Sequence, residues 1–292
     1  DWMKSQVLRS GELQLEVFPS IGGCIGAFSA SGQELLRKAS ADAIAQCDPG
    51  IMGAFPMLPY CNRIENGSFW FGGRWIQLEK NFDNRTNSIH GIGWKQGWSV
   101  ECASSEALTL SYEHDGKDWP WRFVSQQHFQ LEHDRLIYDL SITNADRNEM
   151  PAGLGLHPFF PESKKARVTG LFDGCWNCSD RGVPSDFQVL GPREGLSGET
   201  TMSEVGLDHV YVGLRSDIEV RWDNRPYYLT LLSPKEAHAH VIYSPVGEDF
   251  FCIEPVSHLP NVINMNQTAG NMSILNPGES LSIQIVFIVV EE

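Results

Sequence analysis

Four charge-capable side chains stand in or at the ends of apolar, strand-like runs: His90 in NSIHGIGW, His157 in GLGLHPFF, Asp208 in VGLDHVYVGL and Glu254 in FFCIEPVSH. Burying such a group costs several kcal/mol, on the order of a whole side chain's hydrophobic gain, unless it is paired or hydrogen-bonded. Each alone reads more simply as a satisfied structural residue, but four in similar settings call for a shared reason. Glu254 follows an apolar run and precedes Pro255, so a strand would deliver its carboxylate where it must bend or end. His157 lies between a glycine-rich approach and Pro158, which fixes the backbone, and His90 is followed by Gly91 and Gly93. An imidazole and a carboxylate meeting across one cleft are the equipment of general acid–base catalysis near neutral pH.

Metal chemistry has weaker support, and no metal or cofactor is expected. These four positions contain no local ligand pair, and the exceptions lie elsewhere: His238 and His240 in HAH, which a strand would turn to one face, and Cys175 and Cys178 in CWNC, which lack a second pair. Aromatic residues are plentiful, with nine Trp that include Trp70, Trp75, Trp94, Trp98, Trp119 and Trp121. Core packing accounts for most of them, while a ring such as Trp94, beside His90, could stack on the C–H face of a sugar.

The elements that must position these groups are strands. Short runs such as LQLEVFPS, ALTLSYEH, YYLTLLS and LSIQIVFIVV alternate apolar and polar positions, the pattern of half-buried antiparallel strands. Helical periodicity is scarce, with QELLRKASADAIAQC the nearest case. Turn signals at SASGQ, FGGR, NADRNE and RWDNRPYY punctuate the strands, and no linker divides the chain, so residues 1–292 are expected to form one large two-sheet β-sandwich domain. Residues 179–206, SDRGVPSDFQVLGPREGLSGETTMSEVG, read as a long surface loop, a kind of segment that often lines sites.

The formal charge of −15 argues against nucleic acid or anionic lipid as a partner, because both require a basic surface. No apolar run approaches the roughly 20 residues of a spanning helix, no secretory signal is visible, and seven cysteines without a regular framework fit reduced thiols, so a cytoplasmic protein is expected.

The motifs in order, PYCNRIENGSFWFGGRWIQL, NSIHGIGW, GLGLHPFF, LDHVYVGL and FFCIEPVSHLPNVINM, resemble those of the aldose 1-epimerase (galactose mutarotase-like) family, and LQLEVFPSIGGCIGAFSASGQELL resembles its opening strands. The resemblance implies an all-β fold, a large antiparallel β-sandwich of the galactose mutarotase-like supersandwich type. It further implies a small-molecule sugar as partner, no cofactor, and a monomer or homodimer. Under it Glu254 is the base at the anomeric hydroxyl, His157 the acid at the ring oxygen, and His90 a second histidine near that oxygen; Arg63 and Asp208 bind hydroxyls. Ile92, Leu156 and Pro158 depart from the usual family pattern. Trp94 and Lys95 stand where related hexose-6-phosphate epimerases place an arginine, although Arg74 and Arg85 keep a phosphorylated substrate in play. The alternatives are therefore a hexose-6-phosphate 1-epimerase and a non-catalytic carbohydrate-binding or sensing protein on the same fold.

Overall fold

A computed structural model describes residues 4–82, 86–265 and 270–291. Alternation along the chain translates directly into two antiparallel sheets. In Arg135–Asn144, RLIYDLSITN, every second residue is buried, and Leu136, Tyr138, Leu140 and Ile142 all face inward. Each such side chain removed from water stabilises the fold by roughly 1.5–3 kcal/mol.

The first sheet runs in the order Gln6–Ser10, Leu13–Phe18, Cys24–Ala30, Ala54–Met57, Gly155–Pro161, Phe250–Val256, Ala239–Tyr243, Asp208–Leu214, Ala166–Cys178 and Pro184–Val189. The second runs Ser99–Ala103, Ala107–His114, Phe123–Leu131, Arg135–Asn144, Ser280–Glu291, Tyr227–Leu232, Ile218–Trp222, Ala166–Cys178 and Gly195–Ser197. The 13-residue strand Ala166–Cys178 belongs to both. Its first part pairs with Ile218–Trp222 and its later part with Asp208–Leu214, so the sheets are joined along one edge. The sandwich read from the sequence is the observed architecture.

Two strands break the alternation for a reason that bears on function. Gly155–Pro161 is buried at every position, and Phe250–Val256 at all but its first. One face of each packs into the core, where Phe160 stacks on Phe251 with ring centroids 5.2 Å apart and meets Phe287 of the opposite sheet at 6.5 Å. The other face, carrying His157 and Glu254, is roofed by the segments around residues 58–63 and 88–95. A strand covered on both sides reads as a continuous apolar run, which is why GLGLHPFFP shows no polar period.

Other expectations need correction. Residues 179–206 do not form a structureless loop: they contain the strands Pro184–Val189 and Gly195–Ser197 and the short helix Met202–Val205, all edge elements too brief or too polar to show a period. His238 and His240 do not share a strand face, because the strand begins at Ala239; His238 is exposed, and buried His240 pairs with Ser233 Oγ at 2.8 Å. Cys175 and Cys178 are free thiols three residues apart on one strand, and that spacing places them on opposite faces. NADRNE does not close a hairpin, since Met150–Ala152 pairs instead with Ser273–Leu275.

His258, just beyond the Phe250–Val256 strand, ties that strand's end to the roof. Its Nε2 accepts from the Cys61 backbone N–H at 2.9 Å and its Nδ1–H donates to the Leu259 carbonyl at 2.8 Å, which fixes the neutral tautomer. Burial pushes its pKa down to about 4. The unfolded chain therefore binds a proton below about pH 6.5 that the folded chain refuses until about 4, so this histidine's contribution is complete above 6.5 and declines as pH falls. His258→Leu should lose about 1–3 kcal/mol at pH 7 by stranding the Cys61 N–H. The variant's further loss between pH 7 and pH 5 should be smaller than the wild type's by about 2 kcal/mol, a difference that urea unfolding at the two pH values would read; parallel pH dependence would contradict the assignment.

Candidate active site

Strand register assembles the floor of the site. Gly155 pairs with Val256 and Phe159 with Cys252, so His157 lies opposite Glu254. Phe55 pairs with His157 on the other side, and Val241 with Glu254. Phe55, His157, Glu254 and Val241 thus form one row across four strands, all lining the same cavity. The next row on that face holds Phe159, Cys252, Tyr243 and Asp208. Pro158 and Pro255 lack N–H groups, so the backbone ladder is interrupted beside His157 and Glu254.

The central contact is His157 Nε2 to Glu254 Oε1, 3.2 Å apart. Both side chains are nearly out of solvent, at 10% and 3% exposure. Among the described residues His157 Nδ1 and Glu254 Oε2 have no hydrogen-bond partner, and both residues line the cavity. The His157 ring is flanked by Phe55 at 4.4 Å and Phe159 at 4.6 Å between centroids, which limits its rotation. Behind Phe159 the Arg37 guanidinium stacks at 3.8 Å and hydrogen-bonds the Met52 and Gly50 carbonyls.

Burial governs the charge state of this pair. It pushes Glu254 well above the usual carboxylate range, with Asp208 adding and Arg63 opposing, and it pushes His157 down. A neighbouring ionised carboxylate would hold the histidine near neutral. Glu254 does not, because its carboxyl group is buried as deeply and takes up a proton itself. Together the two groups hold one exchangeable proton and no net charge, either as carboxyl with imidazole or as carboxylate with imidazolium.

The roof is built from HGIGW. His90 adopts φ 60° and Gly91 φ 69°; a Cβ on Gly91 would lie 2.0 Å from the Leu58 carbonyl oxygen, which accepts from the Ile92 and Gly93 amides. This tight wrap turns His90 toward His157, with their rings perpendicular and 5.1 Å apart. His90 Nδ1 accepts from the Asn62 N–H at 3.3 Å while the His90 N–H donates to the Asn62 carbonyl at 3.0 Å, leaving Nε2 as a donor. Burial, aided by His157, Arg63 and Lys95, drives the His90 pKa well down, so the ring is neutral. Trp94 lines the cavity beside Phe55, at 4.8 Å, and its indole N–H donates to the Gly91 carbonyl at 3.2 Å.

Arg63 and Asp208 line the same cavity as His157 and Glu254, and their charges act on Glu254 in opposite senses. The Arg63 guanidinium is held by Asn62 Oδ1 and the Gly182 carbonyl, each at 3.4 Å, and lies 5.0 Å from the Phe82 ring. The six residues singled out, His90, His157, Glu254, Arg63, Asp208 and Trp94, all line one cavity of about 330 Å³. Trp70 and Trp75 instead meet on an exposed hairpin, Trp98, Trp119 and Trp121 are buried in the core, and Arg74 lies over Trp121 at 5.7 Å. Arg85 lies outside the described residues. Sequence reasoning passed over Phe55, Asn62, Phe159 and Tyr243, which also line the cavity; of these, Phe159 was signalled by its i+2 spacing from His157.

It also passed over Cys252, two residues before Glu254. His157, Cys252 and Glu254 offer donor atoms within 4.8 Å of one another, a set of zinc-compatible type. Burial holds the Cys252 thiol well above its ordinary value, so the soft ligand stays protonated. The arrangement is better fitted to moving protons: a carboxyl and an imidazole in contact, a neutral imidazole donor alongside, and hydrogen-bonding groups opposite an aromatic wall.

The chain is 28% identical over 291 residues to the uncharacterized Escherichia coli K12 protein YphB, with 97% of this chain and 98% of that one aligned. A proposed aldose 1-epimerase structure from Escherichia coli K12 matches it with a TM-score of 0.89 at 26% identity, covering 99% of this chain and 100% of that one. A galactose mutarotase-like protein from Clostridium acetobutylicum matches in fold with a TM-score of 0.89 at 19% identity, covering 100% and 99%. The profile of the aldose 1-epimerase family matches residues 5–287, and the chain belongs to that family.

Proposed function

We propose that the protein is an aldose 1-epimerase that interconverts the α and β anomers of an aldose, with Glu254 and His157 as the catalytic pair. The observation that carries this reading is the 3.2 Å contact between two buried groups of opposite proton preference at the floor of a ring-sized cavity.

Ring opening requires only that one proton leave O1 and another arrive at O5. Glu254 as carboxylate takes the O1 proton as C1=O forms and the C1–O5 bond breaks, and His157 as imidazolium delivers its proton to O5. Rotation about C1–C2 and reclosure through the reverse transfers yield the other anomer. Burial favours the pair as carboxyl with neutral imidazole; passing that proton across the 3.2 Å contact gives the carboxylate–imidazolium form from which ring opening starts, and ring opening returns the pair to carboxyl with neutral imidazole. These are the two forms that hold a single proton, so the open-chain intermediate is reached without changing the net charge of a buried site. His90, a neutral donor, steadies charge developing on O5, while Arg63 and Asp208 hold hydroxyls and Trp94 contributes an apolar wall. Mutarotation already proceeds slowly in water, and a positioned base and acid, each worth about 10²–10⁴-fold, supply a useful acceleration.

The relaxation of freshly dissolved α-glucose and α-galactose, followed by polarimetry, should be faster with enzyme than without. Glu254→Gln should reduce the acceleration by at least about 10²-fold while leaving sugar affinity within a few-fold; undiminished turnover would remove Glu254 from the chemistry. His157→Ala should lower kcat far more than it raises KM, and a variant that is merely unstable yet fully active would return His157 to a structural role. The pH profile of kcat/KM should be flat through neutrality, because Glu254 is held up and His157 down to about 3. Activity falls on the acid side only where the pair gains a second proton, and on the alkaline side where it loses the shared one. An acid limb centred near pH 6.5, the value of a free imidazole, would contradict a pair with one shared proton.

A further inference from the structure

Beyond Arg63 and Asp208 the cavity opens into a second, polar groove of about 730 Å³. The two residues line both spaces and form the border between them, whereas His157 and Glu254 line the inner cavity. The groove's far wall is the turn Ser179–Gly182, closed by Gly182 N–H to the Ser179 carbonyl at 2.8 Å and linked to the inner site through the Gly182 carbonyl on Arg63. Arg181 reaches across it to Glu65 at 2.7 Å, and Asn66 and Asn87 complete the lining.

The lining discriminates between ligand chemistries. Among the described residues it carries two arginines against three acidic side chains, Glu65, Asp180 and Asp208, together with amides and hydroxyls. Arg181 is engaged by Glu65. A phosphate would enter a space with more acidic than basic groups, whereas an uncharged polyol finds donors and acceptors in alternation. The shared lining residues supply a direction, since Arg63 and Asp208 line both spaces and His157 and Glu254 only the inner one. A pyranose with its C1–O5 edge at Glu254 and His157 turns its opposite edge, C3–C4, toward the border, so a group carried on O4 or O3 projects into the groove.

Building on the epimerase reading, we infer that the groove is a second sugar subsite and that the preferred substrate is a reducing disaccharide or longer saccharide substituted at O4 or O3 of its reducing unit. The inner cavity takes the reducing unit, whose anomeric carbon reacts, and the groove takes the next unit. No further bond is made or broken; the groove adds affinity through contacts remote from the reacting atoms.

Calorimetry separates the subsite from the chemistry. Glucose would be titrated into Glu254→Gln protein alongside cellobiose, lactose and maltose, and galactose alongside 4-O-galactobiose. At least one 4-O-linked disaccharide should bind about tenfold more tightly than its reducing-end monosaccharide, the gain of one to two net hydrogen bonds. In a chain that also carries Asp180→Ala and Arg181→Ala, both exposed turn positions, that advantage should shrink to within about twofold, with monosaccharide affinity unchanged. Equal binding of disaccharide and monosaccharide, or an advantage that survives both substitutions, overturns the subsite. Polarimetry with the wild-type protein tests the other half: accelerated monosaccharide relaxation without a disaccharide advantage leaves the epimerase reading standing and removes only the groove. Tighter disaccharide binding without any acceleration removes the epimerase reading and keeps the groove as a saccharide site.

Discussion

Two titratable side chains face each other on neighbouring strands in a place where neither can afford to be charged alone. The 3.2 Å contact between His157 and Glu254 is the constraint around which the rest is arranged. Desolvation acts oppositely on an acid and a base, raising one pKa and lowering the other, and so favours a pair that shares one proton. A single proton is also what the proposed ring opening needs, because the sugar hands one to the protein at O1 and receives one at O5.

Rigid surroundings make this arrangement sustainable. The floor is a hydrogen-bonded sheet in which register, and not loop conformation, sets the positions of His157 and Glu254. The roof is a tight turn around the Leu58 carbonyl that requires glycine at 91, and its two segments are joined by reciprocal bonds between His90 and Asn62. His258, immediately after the glutamate strand, holds Cys61 and thereby the backbone that leads to Asn62 and Arg63. His157, Glu254, His90 and Arg63 are therefore held in one rigid framework, with Phe55 and Phe159 packed against the His157 imidazole.

Much of this was legible in the sequence. The alternating strands announced a sandwich, and four charge-capable residues in apolar settings marked positions that converge on one cavity. The resemblance carried by Asn62-Arg63, His90-Gly91, Leu156-His157-Pro158 and Ile253-Glu254-Pro255 agrees with the family to which the chain belongs. What stayed hidden depends on contacts between distant segments. Phe55 and Tyr243 look like ordinary core aromatics until register places them beside His157 and Asp208. Asn62 acts through its backbone, which no side-chain pattern reveals. The short edge strands within residues 179–206 bury too little to show a period, and the downward shift of His157 follows from the burial of its partner, a property of the pair.

The proton inventory of the pair is the most direct test of this account. Infrared difference spectra of wild type against Glu254→Gln would isolate the Glu254 carboxyl group, and ¹⁵N spectra with His157 assigned would follow the imidazole, both from pH 5 to pH 8 in the sugar-free protein. The account predicts that neither group titrates across that range and that the two together retain one proton throughout. A carboxyl group that ionises near pH 4.5 beside an imidazole neutral above it would leave a lone buried carboxylate with no proton to share, and would contradict the account at its centre.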